Sequence, residues 1–459
     1  MTSFSIDTLG CKVNQYESQQ IRELLERLGL HQVRSSEEAD LVFVNTCCVT
    51  HSASAKSRQY IHRAQKANPG ATVVVGGCLP IVPTGELKNP DNSVHLIRHR
   101  DDLTAVLSAA AKIKSGAPYA KRLRSCPGNN IVPENGRKIK HKKELSLEDD
   151  LPQITSFKGH TRAFLKVQDG CDAFCTYCIV PKTRPFVHSK PVEAVLVEAA
   201  ALVEAGHKEI VVTGIFLGAY GLESARRGKW PGGQNDQLAD LLDKMAVIPG
   251  LERIRLSSLA PGDVTGRLLD TFVRHSNIMP HLHVSVQSGS DAVLRRMCRQ
   301  YRADDFRAKL ELIKSRLDRP AITTDLIVGF PGETDGDFEQ TVRLAKEAGF
   351  AKMHVFSFSP RQGTVAAGMQ GAVDAEVMKE RSGILHGLNL ELGRGFREQF
   401  IGETAEILVE DADLRAGGRS ERYFMLYLKD VGGVVRKNTL VKVKLVGNRE
   451  DGAVGERIS

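Results

Sequence analysis

Long apolar runs are missing from this chain. Nothing in its 459 residues approaches the roughly 18 consecutive apolar positions of a membrane-spanning helix, so no membrane association is expected. The opening residues, MTSFSIDTLG, lack a basic stretch followed by an apolar core, and no secretory leader is expected. The closing NREDGAVGERIS offers no anchor. Cysteine is scarce and odd in number: nine residues are far too few for a disulfide scaffold and cannot all pair internally. A reducing, cytoplasmic setting is therefore expected, where spaced cysteines more often bind metal or do chemistry. With 41% hydrophobic and 26% charged residues the chain is neither disordered nor collagenous. At about 150 residues per domain its length suggests about three domains.

Charge of one sign is also scarce, except in one place. The net charge is +8, but the segment 112–143 holds ten Lys and Arg against Glu134 alone, a local +9 that leaves −1 for the rest. The same segment has three prolines, three glycines and no steady apolar period, and reads as an interdomain linker over 114–156. Either it is a solvated tether, or it is a basic arm that touches a polyanion.

What is present begins with three short apolar runs, 4–8, 41–45 and 72–76, separated by helical patterns over 14–28 and 50–66. Units of this length suit right-handed parallel crossovers, so a β-α-β-α-β sheet is predicted. Each run ends in a turn bearing a cysteine, namely Cys11, Cys47 and Cys78. In a parallel sheet those turns share the carboxyl edge, where open α/β sheets hold ligands, so the three thiols can converge. Cys48 reads as a core or spare thiol.

A second series of strand signals runs over 163–167, 209–213, 253–257, 281–286, 321–328 and 352–358, with helical patterns between them. Six β/α units predict a parallel sheet curled into an open partial barrel, short of the eight strands of full closure. Chemistry in such a sheet belongs at the carboxyl ends of the strands. Here those ends carry Cys171, Cys175 and Cys178, then Gly214, Ser257-Ser258, Gln287-Ser288-Gly289, the run from Gly329 to Thr334, and Ser359 with Arg361. The triplet Cys171-x-x-x-Cys175-x-x-Cys178 is the strongest signal in the chain. Three thiolates in eight residues fit an iron–sulfur cluster, which ordinarily has four cysteine ligands, and leave one iron open to another ligand. A zinc site needs a fourth ligand, and the nearest candidate, His188, is ten residues on.

The triplet, with Tyr177 as the aromatic before its last cysteine, resembles the radical S-adenosylmethionine (SAM) superfamily. The longer string from Arg162 to Cys171, together with Cys11, Cys47 and Cys78, resembles the methylthiotransferase family over nearly the whole chain. The resemblance implies an α/β fold in parts: an amino-terminal cluster domain over 1–113, the basic linker, a radical SAM partial barrel over 157–395, and a small antiparallel β barrel over 396–459 similar to the RNA-binding TRAM domain. It implies two [4Fe–4S] clusters, one on Cys171, Cys175 and Cys178, whose open iron takes the amino and carboxylate groups of SAM, and one on Cys11, Cys47 and Cys78 that is associated with the inserted sulfur. Tyr177, Gly214, Gln287 and Gly329 are carried over as cofactor contacts. The chain departs from the family's usual residues at Lys182-Thr183-Arg184-Pro185, Phe216, Ser285-Val286 and Cys298.

In the small barrel, alternation is clear over 439–446, further strands are predicted over 404–410 and 422–429, and Gly417-Gly418 and Gly432-Gly433 are predicted hairpin turns. Residues 400–459 carry equal numbers of acidic and basic side chains, so charge alone does not announce RNA. A one-sided set of Arg436, Lys437, Lys442 and Lys444 would.

The opening Thr8-Leu9-Gly10-Cys11-Lys12-Val13-Asn14 resembles the branch, of bacterial type, that acts on N6-threonylcarbamoyladenosine at tRNA position 37. The partners this implies are a tRNA anticodon loop, an electron donor such as flavodoxin or ferredoxin, and a sulfur source. Alternatives are the same chemistry on N6-isopentenyladenosine or on a ribosomal-protein side chain, and a non-catalytic iron–sulfur RNA-binding protein.

Overall fold

The computed structural model describes residues 1–82, 87, 94–98, 102–112, 151–226, 235–412, 416–429 and 435–458. Most of the predicted linker, Cys126 and the predicted Gly432-Gly433 turn lie outside the described residues. The chain forms two compact units, Met1–Ile154 and Thr155–Ser459.

The first unit contains β1 (Ser3–Thr8), α1 (Lys12–Arg27), β2 (His31–Gln32), β3 (Leu41–Thr46), α2 (His51–Ala67), β4 (Thr72–Gly77), β5 (Val94–Leu96) and α3 (Leu103–Lys112). Its five strands are all parallel, in the order β2-β1-β3-β4-β5. The three predicted strands fall within β1, β3 and β4. The edge strands β2 and β5 are too short to show a period in sequence. Strands buried on both faces need apolar residues at every position, and Leu41–Thr46 is buried throughout. Phe43 and Val74 pack with Ile21, Leu25 and Leu107 on the side of α1 and α3. Val42, Val44, Val73 and Val75 pack with Ile61 and Ala64 of α2 on the other side. Thr50 fixes the start of α2, its hydroxyl accepting from Ala53 N at 3.1 Å.

The second unit opens with β6 (Ala163–Asp169), α4 (Val180–Thr183), β7 (His188–Ser189), α5 (Val192–Glu204), β8 (Glu209–Gly214), α6 (Gln237–Ala246), β9 (Arg253–Leu256) and β10 (Ser258–Leu259). It continues with α7 (Gly266–Arg274), β11 (His281–Val284), α8 (Asp291–Arg296), α9 (Ala303–Arg316), β12 (Ala321–Val328), α10 (Asp335–Ala348), β13 (Lys352–Ser357) and α11 (Ala375–Glu398). Strands β6, β8 and β9 pair in parallel, as do β10, β11, β12 and β13. The strand signal at 253–257 is split, because the chain steps from one ladder to the next at Ser257. Its first half pairs with β8 and its second with β11, so six parallel β/α units follow one another in sequence order. Thr334 caps α10, donating to Asp337 Oδ2 at 2.9 Å and accepting from Asp337 N at 3.2 Å.

The last sixty residues close a barrel of β14 (Thr404–Asp411), β15 (Gly417–Ser420), β16 (Met425–Leu428), β17 (Leu440–Asn448) and β18 (Ala453–Arg457), in the order β14-β15-β16-β18-β17. Two expectations are corrected. The barrel is not antiparallel throughout, since β16 and β18 run parallel. Five strands closed into a ring cannot alternate in direction at every step, so one parallel pair is unavoidable. Gly417-Gly418 lies inside β15 instead of in a turn. A Cβ on Gly418 would stand 1.8 Å from Leu408 O, at the point where the ladder with β14 bulges, so the glycine admits a close strand approach.

This small barrel is fastened to the amino ends of the β/α strands. Glu209 on β8, fully buried, accepts from Arg255 at 2.9 Å and lies 3.8 to 3.9 Å from Arg162 and Arg253. Burial alone would push its carboxyl up, and the three guanidiniums hold it below the usual range. Arg253 donates to Glu406 O at 2.8 Å, and Arg255 to Ser420 O and Glu421 O at 3.2 and 3.1 Å. Tyr423, with φ of 71°, stacks on His281 at 4.3 Å.

Candidate functional site

In the first unit, the strand order reverses between β1 and β3, and open α/β sheets hold ligands beyond the carboxyl ends at such a point. Cys11 follows β1, Cys47 follows β3 and Cys78 follows β4. Their loops are stitched together. Asn14 Nδ2 donates to Leu9 O at 2.8 Å and to Thr46 O at 2.9 Å, and Asn45 Nδ2 donates to Asn14 O at 2.8 Å. Cys78 N donates to Thr46 O at 3.0 Å, and Ser57 bridges the backbone of Cys47 from α2. Gly10 has φ of 99°, and a Cβ there would stand 3.0 Å from Cys47 Sγ. Burial pushes the Cys47 thiol up to about 11, and the Cys78 and Cys11 sulfurs lie near enough to push it further in the same direction. Cys48 is wholly buried, which favours the core reading of the two.

In the second unit the triplet loop leaves β6 through a buried ion-pair group. Asp169 accepts from Lys166 Nζ at 3.0 Å and from Arg184 Nη1 at 2.9 and 3.1 Å. Gly170 has φ of 77°, and a Cβ there would collide with Phe186 O at 1.7 Å. Cys171 N then donates to Arg184 O at 2.9 Å. Thr176 anchors the far side, its N–H on Met297 O at 3.1 Å and its hydroxyl on Arg296 O at 2.8 Å. Cys171, Cys175, Tyr177 and Cys178 line one cavity of about 160 Å³, together with Phe216, Asp263, Arg299 and Tyr301. Burial pushes Cys171 up to about 11 and Cys178 up to about 12, and the neighbouring thiols add to both shifts.

The other residues read from the sequence fall elsewhere. Gly214 is packed by Gln168, whose Oε1 would lie 2.9 Å from a Cβ there, and the cavity wall begins one residue later at Ile215. Gln287, with φ of 68°, binds β12 through its backbone, donating to Asp325 O and accepting from Ile327 N, both at 2.9 Å. Gly329 has φ of 74°, and a Cβ there would stand 2.3 Å from Met378 Sδ of α11. Packing and backbone shape thus already require glycine at that position. None of these three lines the cavity.

Several residues were missed. Arg299 and Tyr301 come from a loop far along the chain and carry no local signal. Asn14, Asn45 and Ser57 look like ordinary helix and strand-end residues. Lys166 and Asp169 were detectable, since charged residues inside an otherwise apolar central strand require buried partners.

Among the described residues, no three His, Cys, Asp or Glu side chains gather tightly enough to hold a single metal ion. The cysteines of each trio are nonetheless near enough that a thiolate on one raises the cost of a thiolate on the next. A cubane asks for less than a single ion does, since each cysteine meets a different iron. Cys47, Cys171 and Cys178, whose thiols burial holds protonated, become thiolates when metal supplies the compensating charge, and cysteine donors of this kind suit such a group.

The chain is similar to known proteins along its whole length. Residues 3–98 match the model of uncharacterized protein family UPF0004, and residues 165–345 match the radical SAM superfamily. The chain is 36% identical over 457 residues to the threonylcarbamoyladenosine tRNA methylthiotransferase MtaB of Chlamydia pneumoniae, covering 99% of this chain and 98% of that one. It is 35% identical to the MtaB proteins of Thermotoga maritima (100% of this chain, 97% of that) and Bacillus subtilis (97% and 94%). Among solved structures it resembles the radical SAM methyltransferase TsrM of Kitasatospora setae, with a TM-score of 0.54 and 14% identity over 78% of this chain and 74% of that one, a likeness of fold. With two family models matched in order and relatives aligned from end to end, the chain belongs to the radical SAM tRNA methylthiotransferase family.

Proposed function

We propose that this enzyme places a methylthio group on C2 of N6-threonylcarbamoyladenosine at position 37 of tRNA. The observation that carries this reading is the cavity into which Cys171, Cys175 and Cys178 open, three thiols where a cubane has four corners. The full-length likeness to proteins named for that nucleoside supports this choice of substrate.

In this reading Cys171, Cys175 and Cys178 hold one [4Fe–4S] cluster and Cys11, Cys47 and Cys78 hold a second. When bound, the first cluster and SAM supply the radical that activates an inert C–H bond, chemistry beyond any side chain. The chain's own residues position and shelter. Asp169, Lys166 and Arg184 fix the departure of the triplet loop from β6, and Thr176 pins its centre. Tyr177 and Tyr301, whose hydroxyls burial keeps protonated, wall the cavity with neutral groups. Asn14, Asn45 and Ser57 hold the three loops of the other trio in register.

Residues 1–113 serve as the second-cluster domain, 157–395 as the radical SAM partial barrel, and 396–459 as the RNA-holding domain. Arg436, Lys437, Lys442 and Lys444 are all exposed, and the last two alternate with buried Val443 and Leu445 on β17, an outward basic face that supports tRNA contact. A one-electron donor of flavodoxin or ferredoxin type and a sulfur source complete the reaction.

The test is mass spectrometry of tRNA nucleosides from a deletion strain, with and without the gene restored. Loss of the 2-methylthio derivative of threonylcarbamoyladenosine is expected. Loss of the isopentenyl derivative instead would transfer the assignment to the second reading, favoured by 30% identity over full length to a tRNA-2-methylthio-N(6)-dimethylallyladenosine synthase of Anaplasma phagocytophilum.

A further inference from the structure

Arg299 is a buried cation set against one thiol and two phenols. Its Nη1 stands 3.1 Å from Cys175 Sγ and 3.5 Å from the Tyr177 hydroxyl, and its Nε donates to the Tyr301 hydroxyl at 2.9 Å. Its Cζ lies 4.8 Å from the centre of the Tyr301 ring. Among the described residues no carboxylate pairs with it. Asp263, the acid that also lines the cavity, accepts from Ala260 N at 3.0 Å. A guanidinium sunk among a thiol and two phenols leaves its charge uncompensated, an expensive arrangement unless negative charge arrives.

The placement is stiff. The backbone of Arg296 and Met297 accepts from Thr176, between Cys175 and Tyr177. On the other side the Tyr301 hydroxyl reaches Ser285 O at 2.8 Å and Val286 O at 3.0 Å. Between them Cys298 is held at φ of 53°, a conformation a non-glycine residue adopts only when its surroundings enforce it. The guanidinium is thus held on the sulfur from both ends of its loop.

We propose that Arg299 sets the reduction potential of the cluster on Cys171, Cys175 and Cys178, donating a hydrogen bond to the Cys175 sulfur and placing a fixed positive charge beside it. Reduction adds an electron to that cluster, and a neighbouring cation stabilises the reduced form. Hydrogen bonds to ligand sulfurs and nearby charge are the means by which proteins tune such potentials. Arg299 is a positioning residue here, acting through Cys175, and the inference rests on the cluster reading of the triplet.

The experiment is a redox titration, without SAM, of the reconstituted full-length protein carrying Cys11, Cys47 and Cys78 as alanines, so that one cluster is read by its electron paramagnetic resonance. Arg299→Gln, Arg299→Lys and Tyr301→Phe are compared with the parent at equal iron content. In Arg299→Gln the reduced-to-oxidised ratio at fixed ambient potential should fall at least tenfold, about 59 mV for a one-electron couple. Arg299→Lys should recover part of that loss, and Tyr301→Phe should show a smaller fall. If Arg299→Gln holds no cluster, Arg299→Lys and Tyr301→Phe decide, and unchanged potentials in both overturn the proposal. An unchanged ratio in Arg299→Gln with weakened SAM binding overturns it in favour of a SAM carboxylate clamp. A parent protein that assembles no cluster would instead remove the cluster reading itself.

Discussion

The two cysteine trios of this chain are built in opposite ways. One is gathered from the ends of β1, β3 and β4, so each thiol stands on a different loop and the loops hold one another through Asn14, Asn45 and Thr46. The other is written in eight consecutive residues and is held from outside, by the Asp169 ion pairs, by Thr176 on Met297 and by Arg299. The first exists only once the parallel sheet is complete. The second exists as a peptide sequence from the start, but its shape is borrowed from distant segments. Spacing in sequence and rigidity in space are therefore separate properties of a metal-binding loop.

Substitutions should separate the two sites. The largest effect is expected from replacing Cys171, Cys175 and Cys178 together by alanine, which should abolish formation of 5′-deoxyadenosine from SAM in an anaerobic assay with dithionite. Replacing Cys11, Cys47 and Cys78 should leave that reaction running while removing the methylthio product, and iron should drop from about eight to about four per chain. Loss of deoxyadenosine in the second variant would mean that the trios are not independent.

Backbone changes come next. Gly170→Ala meets Phe186 O and Gly77→Ala meets Thr46 O, each at positive φ, and each should cost about 3 kcal/mol in denaturant unfolding. Gly77→Ala should spare deoxyadenosine formation, and Gly170→Ala should not. Asn14→Ala removes a donor from Leu9 O and from Thr46 O, which keeps Cys78 N, and should cost about 2 kcal/mol, with iron lost from the first unit only. The smallest effect is on pH dependence. The Cys47, Cys171 and Cys178 thiols titrate above their ordinary range, so iron binding must displace protons. Iron uptake by the apoprotein, followed by chelator competition, should strengthen at both trios from about pH 7 to about pH 9.

Much of this was legible in the sequence where periodicity runs long. The strands at 41–45, 209–213 and 321–328 lie in the expected places because continuous apolar runs bounded by turns leave few other solutions. Elements of two or three residues, such as β2 and β5, have no period to read. Gly417-Gly418 misled because glycine serves tight turns and close strand contacts alike, and only the neighbouring Leu408 carbonyl distinguishes them. The triplet announced itself through spacing. Arg299 did not, since its contact with Cys175 depends on how the loop after α8 returns to the mouth of β6, which no local pattern encodes.

The hairpin bearing Tyr423 has a consequence for how this polypeptide is made. Arg253 and Arg255 are 1% exposed, and their backbone acceptors at Glu406, Ser420 and Glu421 lie about 150 residues or more downstream. Until the ribosome has released that stretch, two guanidiniums at the floor of the β/α sheet have water in place of those carbonyls, and their burial waits on the last sixty residues. A truncation before β14 would therefore leave the amino ends of β8 and β9 bare, with two arginines open to water where the full chain seals them.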